Sequence, residues 1–97
     1  MLVPIMPPRA RPILSRHAIE RMKERGISLE EVIEAFENPA QLLYDEWNDV
    51  YIAVSETGVA VVYAYRGPRI EIVTVMTHRE YEALVSKYGR KRYRVIV

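Results

Sequence analysis

The sequence contains no cysteine, which excludes disulfide bonds and thiol chemistry. It has two histidines, which do not occur at the spacings of a zinc site, so no metal is expected. No apolar run reaches the ~18 residues that suggest a transmembrane helix. The apolar first residues are too few and too interrupted by proline for a signal peptide. We therefore expect a cytoplasmic protein without a cofactor or membrane association.

Basic residues are missing from residues 28–58, where eight acidic residues lie. Residues 1–27 instead carry six basic and two acidic residues, and residues 59–97 carry eight basic and three acidic residues. The net charge of +1 hides this segregation. Either the acidic segment neutralises the basic first segment within the fold, or the protein has a basic face for an anionic partner.

The length of 97 residues predicts a single domain. Prolines at positions 4, 7, 8 and 12 exclude a helix and disfavour a central strand in the first residues. We predict an extended proline-rich arm over residues 1–13 and one domain over residues 14–97.

Two helices are predicted directly after this arm. The first begins at Ser15 and ends at Gly26, a residue type that often follows a helix end. The second begins with the capping-box pattern Ser28-Leu29-Glu30-Glu31 and ends before Pro39. Its apolar residues recur at helical spacing and predict a core face, formed by Leu29, Val32, Ile33 and Phe36.

Period-two patterns follow, with short turns between them. The predicted strands cover residues 42–44, 50–55, 59–65 and 69–76, and the third is apolar on both faces. A third helix begins at Thr77 and ends at Gly89, before a short strand or tail over residues 93–97. We therefore predict an α+β fold, with two N-terminal helices packed on a four-stranded antiparallel sheet. The helices are expected on one sheet face, leaving the other available.

The first helix carries the clearest candidate for chemistry. His17, Arg21 and Arg25 recur every four residues and form one stripe. Like charges at this spacing weaken a helix, so we expect an anion there: an acidic part of the same chain, an acidic partner or a phosphate. Metal-independent RNA cleavage needs proton transfer, which suits histidine, and charge stabilisation, which suits arginine. The alternative is structural, with a bonded histidine and arginines that bridge to the second helix.

Other residues could contact nucleic acid. Thr77 and His78 open the third helix, whose free backbone N–H groups favour a phosphate. A basic cluster near the C-terminal end is a second candidate, formed by Arg90, Lys91, Arg92 and Arg94. Aromatic residues on an open sheet face could stack bases, although they are more often half-buried sheet residues: Tyr44, Trp47, Tyr51, Tyr63 and Tyr65.

A known family shows the same helix motif. The run His17-Ala18-x-x-Arg21-Met22-x-x-Arg25-Gly26-Ile27-Ser28, followed by Glu31-Val32 and Asn38-Pro39, resembles the family called domain of unknown function 4258. That family is similar to the RelE/ParE and BrnT toxins, small ribonuclease-type proteins of toxin–antitoxin systems. The resemblance implies a RelE-like fold, action on RNA and an antitoxin partner. The alternative is a non-catalytic module that binds nucleic acid or an acidic protein.

Overall fold

A computed structural model of the chain describes residues 11–97. The elements in chain order are β1 (Ile13–Leu14), α1 (Arg16–Arg25), α2 (Leu29–Glu37), β2 (Gln41–Asp45), β3 (Val50–Val54), β4 (Ala60–Arg66), β5 (Arg69–Met76), α3 (His78–Tyr88), a 3-10 turn (Gly89–Lys91) and β6 (Tyr93–Val95). The α+β class is therefore confirmed. No helix among these elements has the length and apolar character needed to cross a membrane.

The sheet has six strands in the order β1-β5-β4-β3-β2-β6. The four predicted strands form its antiparallel centre, β5-β4-β3-β2, in the expected sequence of neighbours. The prediction of a four-stranded sheet was incomplete: β6 adds antiparallel to β2, within the short strand or tail predicted over residues 93–97, and β1, which was not predicted, adds in parallel to β5. Both added strands are only two or three residues long, so their sequences carry little periodicity.

Strand β1 lies where the proline-rich arm was predicted to end. Residues 1–10 of that arm lie outside the described residues, whereas Ile13 pairs with Glu71 of β5. Ser15, the residue directly after β1, fixes the start of α1 to the same strand. Its backbone N–H donates to the Ile72 carbonyl (3.0 Å) and its hydroxyl donates to the Val73 carbonyl (2.9 Å). The first helix is thus attached to β5 at its N-cap.

Helices cover both faces of the sheet, which corrects the prediction of one open face. On one face α1 and α2 bury a core that includes Ala18, Val32, Val61, Ile72 and Val75. On the other face α3 covers a second core, which includes Leu43, Ile52, Ala60, Val62 and Tyr81. Since successive residues of a strand point to opposite faces, a strand that is apolar throughout requires this double cover.

The predicted core face of α2 is only partly buried. Val32 is fully buried and Ile33 and Phe36 are half-buried, but Leu29 is 51% exposed. Leu29 is the first residue of α2, directly after its N-cap Ser28, where the helix has not yet reached the sheet core. The helical spacing therefore predicted the correct side of α2. The predicted core face, however, begins one turn before the part of the helix that is buried.

We expect Phe36→Ala to lower the free energy of unfolding by about 2 kcal/mol, less than the 3–5 kcal/mol typical of a fully buried Phe. The Phe36 ring is half-buried and meets Tyr63 edge-on, with ring centroids 5.0 Å apart. Leu29→Ala, in the exposed first turn, is the control and should cost less than about 1 kcal/mol. Urea unfolding of both variants measures the difference. Equal losses would contradict the assigned packing of α2.

Candidate nucleic-acid interface

The basic stripe, formed by His17, Arg21 and Arg25, runs along the border of α1 between its buried face and solvent. His17 is exposed and the two arginine side chains are each 33% exposed, whereas the adjacent Ala18 is fully buried. The Ser15 hydroxyl caps the helix by accepting from the Ala18 N–H (3.0 Å), and Gly26 ends it with φ +66°. His17 is exposed and has no hydrogen-bond or ion-pair partner within residues 11–97.

The two arginines of the basic stripe meet a carboxylate of α3. One Glu80 oxygen accepts from Arg25 Nε (2.9 Å) and lies 2.8 Å from Arg25 Nη2. Arg21 Nη1 is 3.7 Å from the same oxygen. Glu24, on α1 itself, is a more distant neighbour of Arg25 at 3.5 Å. The anion expected at the stripe is therefore present, and it belongs to the same chain.

This carboxylate also caps α3. The second oxygen of Glu80 accepts from the Thr77 backbone N–H (3.0 Å), while the Thr77 hydroxyl accepts from the Glu80 N–H (3.2 Å). The hydrogen bond from Arg25 and the backbone hydrogen bond from Thr77 lower the pKa of Glu80 to about 2. Glu80 is therefore ionised at neutral pH and cannot donate a proton there.

The predicted bridge from α1 to α2 does not form. Within the described part of the chain, the arginines of α1 pair with Glu24 and Glu80 and with no residue of α2. In α2, Glu31 completes the capping box with Ser28, and Glu34 accepts from Asn38. The acidic side of α2 thus stays separate from the basic stripe, so the charge segregation of the sequence persists on the surface.

Thr77 and His78 occupy the predicted start of α3, but the side chains of both already make contacts within the chain. Thr77 is the N-cap described above. His78 is exposed, and its Nε2 lies 3.1 Å from Glu82 one turn later. Its side chain also rests on Gly58, where a Cβ would come within 2.6 Å of the His78 Cβ. This contact joins α3 to the turn between β3 and β4.

The four residues of the C-terminal basic cluster differ in their contacts. Arg92 and Arg94 form ion pairs, whereas Arg90 and Lys91 form none within residues 11–97. Arg92 is mostly buried and forms a bidentate ion pair with Asp45, at 3.0 and 2.9 Å. Rings of Trp47, Tyr88 and Tyr93 surround its guanidinium. A contact between Arg92 and nucleic acid stays a prediction, and this environment disfavours it because Nε and Nη2 already bind Asp45 and aromatic rings surround the guanidinium.

Arg94 forms an exposed ion pair with Glu46, so it too is partly committed. Arg90 and Lys91 are exposed, and within residues 11–97 neither has an ion-pair partner. They remain available to an anion, as predicted for a cluster of this composition. Of the four predicted residues, two are therefore accessible cations and one is structural.

Four tyrosines form the tyrosine surface, defined as Tyr44, Tyr51, Tyr63 and Tyr65. They lie at one end of β2, β3 and β4, on the face shared with α2. Tyr51 stacks on Tyr63 with centroids 5.5 Å apart, and Tyr44 and Tyr65 flank Tyr51 at 5.1 and 5.6 Å. Tyr65 is 57% exposed. Trp47, predicted with them, instead packs against Arg92.

Two hydroxyls of the tyrosine surface, those of Tyr44 and Tyr63, are uncharged at neutral pH. The hydrogen bond that Tyr44 donates to Asp49 (2.6 Å) raises the pKa of Tyr44 to about 12. Burial raises the pKa of Tyr63 to about 12 as well. These hydroxyls therefore do not repel an anionic ligand.

A pocket of about 320 Å³ lies between the end of α2 and the turn after β3. It includes Glu34, Asn38, Ser55 and Glu56, and none of the predicted site residues. Two carboxylates at its wall make it unfavourable for phosphate. Within residues 11–97, no three histidine, aspartate or glutamate side chains are placed to share a metal ion.

Comparison with known proteins identifies the family. Residues 14–77 match the family described as Domain of unknown function (DUF4258), and the chain belongs to that family. The matched segment includes the whole basic stripe but ends at Thr77, before Glu80 and the C-terminal cluster. No curated protein and no solved structure matches the chain.

Asp45→Asn should lower the free energy of unfolding by about 3 kcal/mol, because it leaves the mostly buried Arg92 without a counter-charge. Glu46→Gln, which breaks the neighbouring exposed pair with Arg94, is the matched control and should cost much less, because water screens an exposed ion pair. Chemical denaturation measures both. A small loss in Asp45→Asn would show that Arg92 does not hold β6 to β2.

Glu80 should make stability depend on acid pH. Its pKa of about 2 in the folded protein lies below the ordinary value of 4.5, so ionised Glu80 stabilises the fold above its unfolded pKa. This contribution is lost as the pH falls from about 4.5 towards 2. The melting temperature of the wild type should thus fall more steeply in this range than that of Glu80→Gln. Parallel curves would contradict the assigned pairing.

Proposed function

We propose that this protein acts on RNA through the basic stripe, as a RelE-like, toxin-type endoribonuclease of the cytoplasm that needs no metal ion. The observation that carries the proposal is an exposed imidazole, His17, in line with two half-exposed arginines on one helix. The whole stripe also lies inside the segment that matches the family.

His17 is the general base of this proposal. Its imidazole takes the proton of a ribose 2′-hydroxyl, and the 2′-oxygen then attacks the neighbouring phosphorus. The bond from phosphorus to the 5′-oxygen breaks, and that oxygen takes a proton from the imidazolium or from water. Because no group among residues 11–97 bonds to the imidazole, both of its nitrogens are accessible to substrate and solvent.

Arg21 and Arg25 stabilise the negative charge that develops on the phosphate. They differ in how much Glu80 already binds them. Arg25 is held at 2.8 and 2.9 Å, whereas Arg21 is 3.7 Å from the carboxylate. Arg21 is therefore the first arginine that a phosphate would recruit, and Arg25 would follow only if the phosphate displaces the Glu80 oxygen.

A protein partner fits the same surface. The toxin-type interpretation includes an antitoxin chain that holds the protein inactive. The Glu80 carboxylate, which pairs with Arg25 and lies 3.7 Å from Arg21, supports the idea that a carboxylate fits this stripe. An acidic side chain of an antitoxin would make the equivalent contact from outside and would exclude RNA.

The contact of Glu80 with the arginines of the basic stripe also favours a second candidate function, a non-catalytic binding module. In this alternative the basic stripe only docks nucleic acid or an acidic protein, and His17 transfers no proton. The ion pairs with Glu80 would then fix the arginine side chains in a geometry suited to carboxylate or phosphate recognition. Catalysis and binding are separable by experiment.

We expect the wild type to cleave single-stranded RNA and His17→Ala to lose cleavage while its RNA affinity stays nearly unchanged. His78→Ala is the matched control, since His78 is exposed but lies on α3 and pairs with Glu82. Cleavage is measured on labelled RNA from about pH 5 to about 9, the range in which histidine changes charge. A wild type that cuts no RNA in this range would eliminate the enzyme and leave the binding module.

Arg21→Ala should weaken RNA binding and reduce the log–log salt slope by about 0.7, the value for one phosphate contact on a single strand. Arg16→Ala, on the same helix and exposed, should leave the slope unchanged. Fluorescence anisotropy at several salt concentrations measures both slopes. If Arg21→Ala lowers the melting temperature but keeps the slope, the stripe is structural.

A further inference from the structure

Three arginines lie at the same end of the sheet as the tyrosine surface and form the arginine rim, defined as Arg11, Arg66 and Arg69. Arg66 directly follows Tyr65 in β4 and pairs with Arg69 of β5. Arg11 lies two residues before Ile13, whose partner Glu71 lies two residues after Arg69. The rim therefore crosses the ends of three neighbouring elements, next to the most exposed tyrosine.

The arginine rim is not explained by stability. Arg66 and Arg69 face each other directly across two antiparallel strands, a placement in which like charges are destabilising. Glu71 compensates only Arg66, at 3.0 Å. Among the residues that the structure describes, Arg69 and Arg11 have no carboxylate partner. The rim thus keeps a net positive charge where the fold gains nothing from it.

We propose that the exposed end of the tyrosine surface, at Tyr65, and the arginine rim together bind single-stranded RNA, with an unpaired base on the Tyr65 ring and phosphates on the arginines. The inference rests on the proposed function, because it names the form of RNA that reaches the basic stripe. Aromatic rings beside cations are the arrangement that binds single strands, since every base has a face for stacking. Bases inside a duplex are stacked on one another and cannot use these rings.

The charged residues around the tyrosine surface also determine the orientation of the bound RNA. Asp49 and Glu46 flank the tyrosine surface on the β2 side, next to Tyr44. Phosphates are repelled from that side and attracted to the opposite side, where the rim follows Tyr65. Tyr65 and Arg66 are consecutive in β4, so their side chains leave the sheet on opposite faces. A strand that contacts both must therefore pass around the end of the sheet, with its phosphates at the arginines and one base on the Tyr65 ring.

The tyrosine surface lies beside the N-terminal start of α1. Tyr63 pairs with Ile72, and the Ile72 carbonyl accepts the N–H of Ser15, the N-cap of α1. His17 follows two residues later, whereas Arg25 lies at the far end of the helix. A strand held on the tyrosines thus approaches the basic stripe from its histidine end.

The test measures binding of a fluorescein-labelled single-stranded oligouridine RNA to the full chain. Tyr65→Leu keeps an apolar side chain but removes the ring, and it should weaken binding roughly 5- to 150-fold, the range expected for one stacked base. Tyr65→Phe keeps the ring and should bind like the wild type. Arg69→Gln should reduce the log–log salt slope by about 0.7, while Arg79→Gln, an exposed arginine of α3, should not.

The other outcomes are separable. If RNA binds but Tyr65→Leu binds as tightly as the wild type, this inference fails and the proposed function is unaffected. If Tyr65 matters for binding but no RNA is cleaved, the surface stands and the enzyme fails. If a duplex RNA of the same length binds as well as the single strand, base stacking is excluded. If no RNA binds and a proline-rich peptide does, with Tyr65 required, the surface is a peptide groove and the inference is overturned.

Discussion

The structure depends on the burial of β4 from both sides. Val61 and Ala60 are fully buried although they point to opposite faces of the sheet. Such a strand is stable only if apolar side chains cover it above and below, which requires α1 and α2 on one face and α3 on the other. The chain meets this requirement within one small domain. Tyr65 and Arg66 at the end of β4 lie beyond this doubly covered stretch and are exposed.

Glu80 connects the packing of the fold to the chemistry of the basic stripe. Its carboxylate caps α3, which covers one sheet face, and holds two arginines of α1, which covers the other. One ionised group therefore fixes the relative position of the two layers at this edge. It also neutralises part of the stripe, so a phosphate that binds there competes with an internal anion. This competition favours ligands with several contacts over single ions.

Much of the fold could be predicted from the sequence, because its signals are local. Capping boxes at Ser28 and Thr77 placed two helix starts correctly, and period-two patterns placed the four central strands. The β-prone residues 93–97 also indicated the short strand β6, whereas the two residues of β1 carry no such pattern and pair only because the edge of β5 is free there. The cover of the second sheet face was missed although the two-sided apolar pattern of β4 was recognised.

The candidate site was less predictable, because its contacts join residues far apart in the chain. The sequence indicated an anion at the basic stripe but not Glu80, which lies 55 residues beyond Arg25. In the same way, nothing near Arg92 indicates Asp45, 47 residues earlier, so a buried ion pair was interpreted as a free basic cluster. The tyrosines were recognised as a set, but only the register of β2, β3 and β4 shows which of them share a surface.

The long-range attachment of α1 has a consequence during synthesis. With 10 and 9 residues, α1 and α2 are shorter than the ~12–15 residues at which isolated helices become stable in water. Each helix therefore becomes stable only when its tertiary partners are in place, and for α1 these partners are β5 and Glu80. A nascent chain that has not yet released these later residues from the ribosome cannot order the basic stripe.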